Sequence, residues 1–118
     1  MLHVYGIPNC QTVKKARLWL DEQQIPYTFH NFKTEVPTAS LLQQWLQVLP
    51  LEQLVNKRGT TWRKLSPEEQ HDLTQNDTAI DVLMANSSVI KRPVLVLSNE
   101  HMILGFDEEK YADALKQS

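Results

Sequence analysis

Cysteine is nearly absent from this chain: Cys10 is the only one. A single thiol excludes an internal disulfide and a zinc site built on four cysteines, and it fits a reducing compartment. Long apolar runs are missing too, since no stretch approaches the roughly eighteen residues a membrane helix needs. The start, Met1-Leu2-His3-Val4-Tyr5, lacks the basic region and long apolar run of a signal peptide. A cytoplasmic protein without membrane contact is expected. Nor is charge of one sign in excess. A formal net charge of −2 offers no general attraction to nucleic acid, and no nucleic-acid partner is expected. His3, His30, His71 and His101 lack metal-ligand spacing, so no metal site is predicted. No repeat, linker or low-complexity tract is visible.

What is present is enough for one folded domain: 118 residues, 42% hydrophobic, with three each of Trp, Tyr and Phe. Leu2 to Tyr5 is rich in strand formers and closes at Gly6 and Pro8. Thr12 to Gln24 carries Val13, Ala16 and Leu20 at helical spacing, with Trp19 beside them and Lys14, Lys15, Arg17 and Asp21 assigned to water. That helix should stop before Ile25-Pro26. Pro26 to Phe32 alternates as a second strand. Strand, helix and strand in this order predict a βαβ unit with parallel strands and a right-handed crossover.

The middle of the chain reads as a helical insertion, about 37–88. Thr38 is the predicted N-cap of a helix to about Val48. Leu51 to Val55 is a short apolar turn of helix, and Asn56 to Lys64 a polar loop holding Lys57, Arg58, Arg63 and Lys64. Ser66-Pro67-Glu68-Glu69 has the form of a capped helix start. A further short helix is expected from Thr78 to Ala85. Pro93 to Leu97 reads as a central strand, Asn99-Glu100 as a turn, and His101 to Leu104 as the returning strand of a hairpin. Asp107 then caps a last helix from Glu108 to Lys116. The sum is an α/β protein of thioredoxin-like plan: a four-stranded mixed sheet with the insertion between its βαβ and ββα halves.

In this arrangement Cys10 falls between the first strand and the first helix. Unpaired N–H groups at a helix N-terminus and the positive end of the dipole favour a thiolate. Lys14, Lys15 and Arg17 add positive charge nearby. A thiolate attacks disulfides and other electrophiles; the alternative is a buried structural cysteine. His3 and His30, on neighbouring strands, are placed at the sheet surface, a two-histidine ligand pair being the alternative. Trp19 and Trp45 read as core aromatics. Trp62 either anchors its loop or offers a contact surface.

Four blocks in order carry a resemblance. They are Tyr5-Gly6-Ile7-Pro8-Asn9-Cys10-Gln11-Thr12-Val13-Lys14-Lys15-Ala16-Arg17, Asn56 to Leu65, Ile90-Lys91-Arg92-Pro93-Val94 and Leu104-Gly105-Phe106. The chain resembles the arsenate-reductase-like (ArsC) branch of the thioredoxin fold, in particular its Spx/YffB subgroup. The resemblance implies a cis bond before Pro93, beside the active cysteine, and a nucleophilic Cys10 with Arg92 as its charged partner. Asn9, Thr12, Lys14, Arg58, Pro93 and Phe106 are the candidate substrate-binding residues. For Thr12 the simpler role is a helix-start cap; Lys14 is read as a rim cation; for Arg92 and Arg58 the alternative is a solvated charge.

Departures from the pattern narrow the activity. The arsenate reductases of this branch use three oxyanion-binding arginines. One matches Arg92, while the others fall on Asn56 and Phe106. A histidine near their cysteine is Gly6 here, and a serine that supports their thiolate is Val13. These differences count against efficient arsenate reduction. The redox regulators of the group often carry Cys-x-x-Cys, where this chain has Cys10 and Val13, and a glycine they present to RNA polymerase falls near Pro50. An RNA polymerase contact is therefore not expected. The resemblance implies a glutathione-dependent thiol-disulfide reductase with no bound cofactor. Its mixed disulfide would be resolved by glutathione or glutaredoxin acting on a monomer. A non-catalytic Spx-like regulator or adaptor is the alternative, and an arsenate reductase a further one.

Overall fold

In a computed structural model, residues 2–98 and 101–116 are described. They fall into two compact units, Met1–Asn31 with Arg92–Ser118, and Phe32–Lys91.

The first unit is a sheet flanked by helices. Its strands are β1 (His3–Gly6), β2 (Thr28–Asn31), β3 (Val94–Ser98) and β4 (His101–Leu104), and its helices are α1 (Gln11–Glu22) and α7 (Glu108–Lys116). The four strands lie in the order β2-β1-β3-β4. β1 runs parallel to β2, with Val4 opposite Phe29, and antiparallel to β3, with Val4 opposite Leu95. β3 and β4 are antiparallel, Val94 facing Leu104. This is the mixed sheet expected from the sequence. The predicted turn Asn99-Glu100 lies outside the described residues. β2 is shorter than the Pro26–Phe32 alternation suggests: Phe32 leaves the strand and is buried in the second unit.

Alternation places Val4 and Leu95 on one face of the sheet, where they meet Ala16 and Leu20 of α1 and Tyr111 of α7. These side chains are all but excluded from solvent, and such burial is the main favourable term in folding. α1 ends earlier than expected, at Glu22, because Gln24 adopts a left-handed conformation with φ 58°. The Ile25 N–H then bonds the Leu20 carbonyl at 2.9 Å, and the chain turns before Pro26 is reached. Asp107 caps α7, its carboxylate accepting from the Lys110 N–H at 3.1 Å.

The second unit consists of short helices: α2 (Ala39–Val48), α3 (Leu51–Leu54), α4 (Thr60–Lys64), α5 (Pro67–Asp72), α6 (Asn76–Ala85) and a 3₁₀ turn at Ser87–Val89. Local chemistry sets their starts. Thr38 Oγ1 accepts from the Leu41 N–H, and Ser66 and Glu69 exchange both bonds of a capping box, with Pro67 in the first position. α4 corrects the expectation of an irregular loop over 56–64. Its single turn ends on Arg63 and Lys64, two cations suited to a helix C-terminus. α2 packs on α6, burying Leu42, Trp45, Ala79 and Leu83. Val55 and Ile90 form a bridge, and the Lys91 N–H bonds the Leu54 carbonyl at 2.8 Å. The two ends of this unit are thus tied together.

Candidate active site

β1 ends at Gly6, and Ile7, Pro8 and Asn9 carry the chain to the start of α1. Cys10 itself occupies the N-cap position in extended conformation (φ −87°, ψ 129°), and its thiol makes no capping hydrogen bond. Its carbonyl accepts the first helical bond, from the Lys14 N–H at 2.9 Å. Thr12 is therefore not the cap: it lies in the first turn, exposed. Serine or threonine at the N-cap would accept from the second or third helical N–H. With cysteine there, the corresponding N–H groups of Thr12 and Val13 are left to a sulfur that binds them well only as an anion.

The half-buried thiol is pulled two ways. Burial raises its pKa, since water stabilises a thiolate better than protein does. Against this act the N–H of Val13, the side chain of Arg92, the N–H of Thr12 and the charge of the guanidinium. The donors together outweigh burial and hold Cys10 below the ordinary thiol value.

Arg92 is brought to the sulfur from far along the chain. It precedes Pro93, whose side chain is fully buried and whose peptide bond with Arg92 is cis. The Pro93 carbonyl accepts from the Gly105 N–H at 2.9 Å, so the entrance to β3 is stitched to the exit of β4. Gly105 has φ +79°, a conformation glycine adopts without strain.

Gly6 meets a different need. A Cβ built on it would stand 2.8 Å from Val13 Cγ2. Close approach of β1 to the first turn of α1 therefore requires glycine, with the fully buried Val13 filling the space.

The other candidate residues are more scattered. Asn9 and Lys14 are exposed on either side of Cys10. Phe106 packs edge-on to Tyr111 at 5.0 Å between ring centroids and lies 6.5 Å from Trp19. It belongs to an aromatic group beside the core. Arg58 belongs to the helical unit, where it is exposed and its N–H donates to Asn56 Oδ1 at 3.1 Å. Asn56 thus shapes its own turn. Trp62 lies under Lys57, whose Nζ is 5.5 Å from the ring centroid.

Two arrangements escaped sequence reasoning. Arg17 does not simply face water. Its guanidinium lies 4.0 Å over the Phe29 ring, and Nε donates to the Tyr27 hydroxyl at 3.2 Å. His3 and His30 are half-buried and bonded to each other, Nδ1 to Nε2, at 2.8 Å. Tyr5 stacks on His30 at 4.3 Å. The register that sets His3 opposite Thr28 and Tyr5 opposite His30 makes the two histidines diagonal neighbours. Among the described residues, no group of three or more His, Cys, Asp or Glu side chains could hold a metal ion. No helix there is long and apolar enough to cross a membrane.

Fold and site together define a thioredoxin-like protein built around one helix-terminal thiol. Comparison with known proteins narrows this. Residues 5–114 match the ArsC family. The chain is 39% identical to a YffB protein of known structure, covering 98% of this chain and 99% of that one, with a TM-score of 0.90. It is also 39% identical to an arsenate reductase (ArsC) related protein from Brucella melitensis, covering 98% and 94% of the two chains, with a TM-score of 0.73. It is 27% identical to the global transcriptional regulator Spx 1 of Lactococcus lactis over 93% of this chain and 85% of the regulator. The chain belongs to the ArsC family.

Proposed function

We propose that this protein is a glutathione-dependent thiol-disulfide reductase working in a reducing, cytoplasmic setting. The observation that carries the reading is the environment of Cys10: open N–H groups of α1 on one side and the Arg92 side chain on the other, together favouring the thiolate. In the first step the Cys10 thiolate attacks one sulfur of a substrate disulfide. A new S–S bond forms to Cys10, the old one breaks, and the leaving sulfur departs as a thiolate. In the second step the thiolate of glutathione attacks the mixed disulfide. Cys10 leaves as a thiolate, and the substrate fragment departs as a disulfide with glutathione. With Val13 in place of a second cysteine, the resolving thiol must come from outside.

A second reading, a regulator or adaptor without turnover, is favoured by the similarity to Spx 1. Arsenate reduction has less support. Of the three arginine positions it would use, Phe106 is taken up by aromatic packing and Asn56 by a turn.

The test is to expose the protein to glutathione disulfide and weigh it. One glutathione per chain is expected, released by a reducing thiol and absent in Cys10→Ser. Turnover of a glutathionylated peptide with glutathione then separates reductase from adaptor. Failure to form the adduct would sink the reductase reading, and an adduct without turnover would favour the adaptor.

A further inference from the structure

Tyr111 is a buried titratable residue, and the chemistry of Cys10 does not require it to react. It lies on α7 and is fully buried, with Trp19 edge-on at 5.8 Å and Phe106 edge-on at 5.0 Å. Its hydroxyl is not idle. It donates to the Gly105 carbonyl at 2.6 Å, and burial pushes its pKa upward, so it remains a donor.

Gly105 is the residue whose N–H holds the Pro93 carbonyl at 2.9 Å. One peptide away is Arg92, the side chain that reaches the sulfur. A continuous path thus runs from the Tyr111 hydroxyl to the Gly105 carbonyl, then from the Gly105 N–H to the Pro93 carbonyl, and on through Arg92 to Cys10. Gly105 turns the chain at φ +79°, with no atom within 4 Å of where a Cβ would lie, and both bonds of the path meet at this one residue.

We propose that Tyr111 is a positioning residue for the thiol: by pinning the Gly105 carbonyl it fixes the Pro93 segment and aims Arg92 at Cys10. The proposal rests on the reading of Cys10 as a reactive thiolate. A path of contacts becomes a coupling only when removing one end changes the other.

The test is the pH dependence of Cys10 alkylation by iodoacetamide, followed with thermal unfolding in the wild type and four variants. Tyr111→Phe keeps the ring and removes only the donor. It should move the profile to higher pH and slow alkylation at neutral pH about threefold, the fall in thiolate that half a pKa unit gives. Leu2→Ala, a truncation in the same core cluster that leaves the Tyr111 hydroxyl and its hydrogen bond in place, should lower stability and leave the profile in place. Arg92→Ala should move the profile further than Tyr111→Phe. If Arg92→Ala shifts it and Tyr111→Phe behaves like Leu2→Ala, the positioning role is overturned while the site stands. If Arg92→Ala leaves the profile unmoved, the charge-assisted site fails and the positioning role with it. Should Tyr111→Phe not fold, Gly105→Ala decides: it leaves Tyr111 intact and strains only the corner. A shift in the same direction supports the path, and an unmoved profile overturns it.

Discussion

The two units of this protein are held together in different ways. In the sheet unit, order comes from partners distant in sequence: Val4 meets Leu95, Tyr111 reaches Gly105, and Arg92 reaches Cys10. In the helical unit many defining contacts are within a few residues: Thr38 with Leu41, Asn56 with Arg58, Ser66 with Glu69. Long-range bonds fix a geometry to fractions of an ångström only if the whole sheet is formed. Local caps fix where a helix starts and little else. A thiol whose pKa is lowered in part by a guanidinium distant in sequence belongs with the first kind of structure.

That contrast predicts which substitutions reach the thiol. The largest effect is expected at Gly6. Gly6→Ala puts a Cβ against Val13 and should destabilise the fold by about 1–3 kcal/mol, the usual range for overpacking. Val13→Ala in the same chain should recover part of the loss, a non-additivity that thermal unfolding of the double variant would reveal. Strict additivity would mean the two side chains do not meet.

Arg92→Ala comes next. The sulfur loses a donor and a neighbouring charge, and a shift of about one unit, or 1.4 kcal/mol, is expected for such a loss. Alkylation of Cys10 at neutral pH should slow about tenfold with the unfolding midpoint little changed. Ser66→Ala should do the reverse. Loss of the capping box costs about 1 kcal/mol, and the alkylation profile should not move. A changed profile in Ser66→Ala would break the distinction between the units.

The smallest effect concerns His3, whose pKa is lowered by burial first and then by His30 and the terminal amine. The unfolded chain binds a proton more readily than the native one, so stability should be full above about pH 6.5 and decline as the pH falls below it. Replacing His30 with Gln should flatten that decline. An unchanged slope in His30→Gln would show that His30 does not contribute to lowering the His3 pKa.

Local signals made the frame legible. β1, the break at Gly6 and Pro8, the Ser66 capping box and the Asp107 cap are each announced by a handful of adjacent residues. Placing Cys10 at the start of α1 needed only that frame. The partnership with Arg92, and the cis bond beside it, came from resemblance, because nothing in either segment alone points to the other. The remaining arrangements depended on register and three-dimensional packing. The His3–His30 bond follows from which residues of β1 and β2 stand opposite. Arg17 lies on Phe29 because a helix and a strand meet there. Helix α4 was missed since a single turn within Asn56 to Lys64 has no apolar period to reveal it.

The close fit of Gly6 against Val13 also bears on how such a chain can change. In the arsenate reductases that the sequence resembles, these two places hold a histidine and a serine. Histidine at position 6 would collide with Val13. Serine at position 13 would give up the buried methyl groups that now fill this space. The two positions are therefore coupled: what position 6 can hold depends on the side chain at position 13.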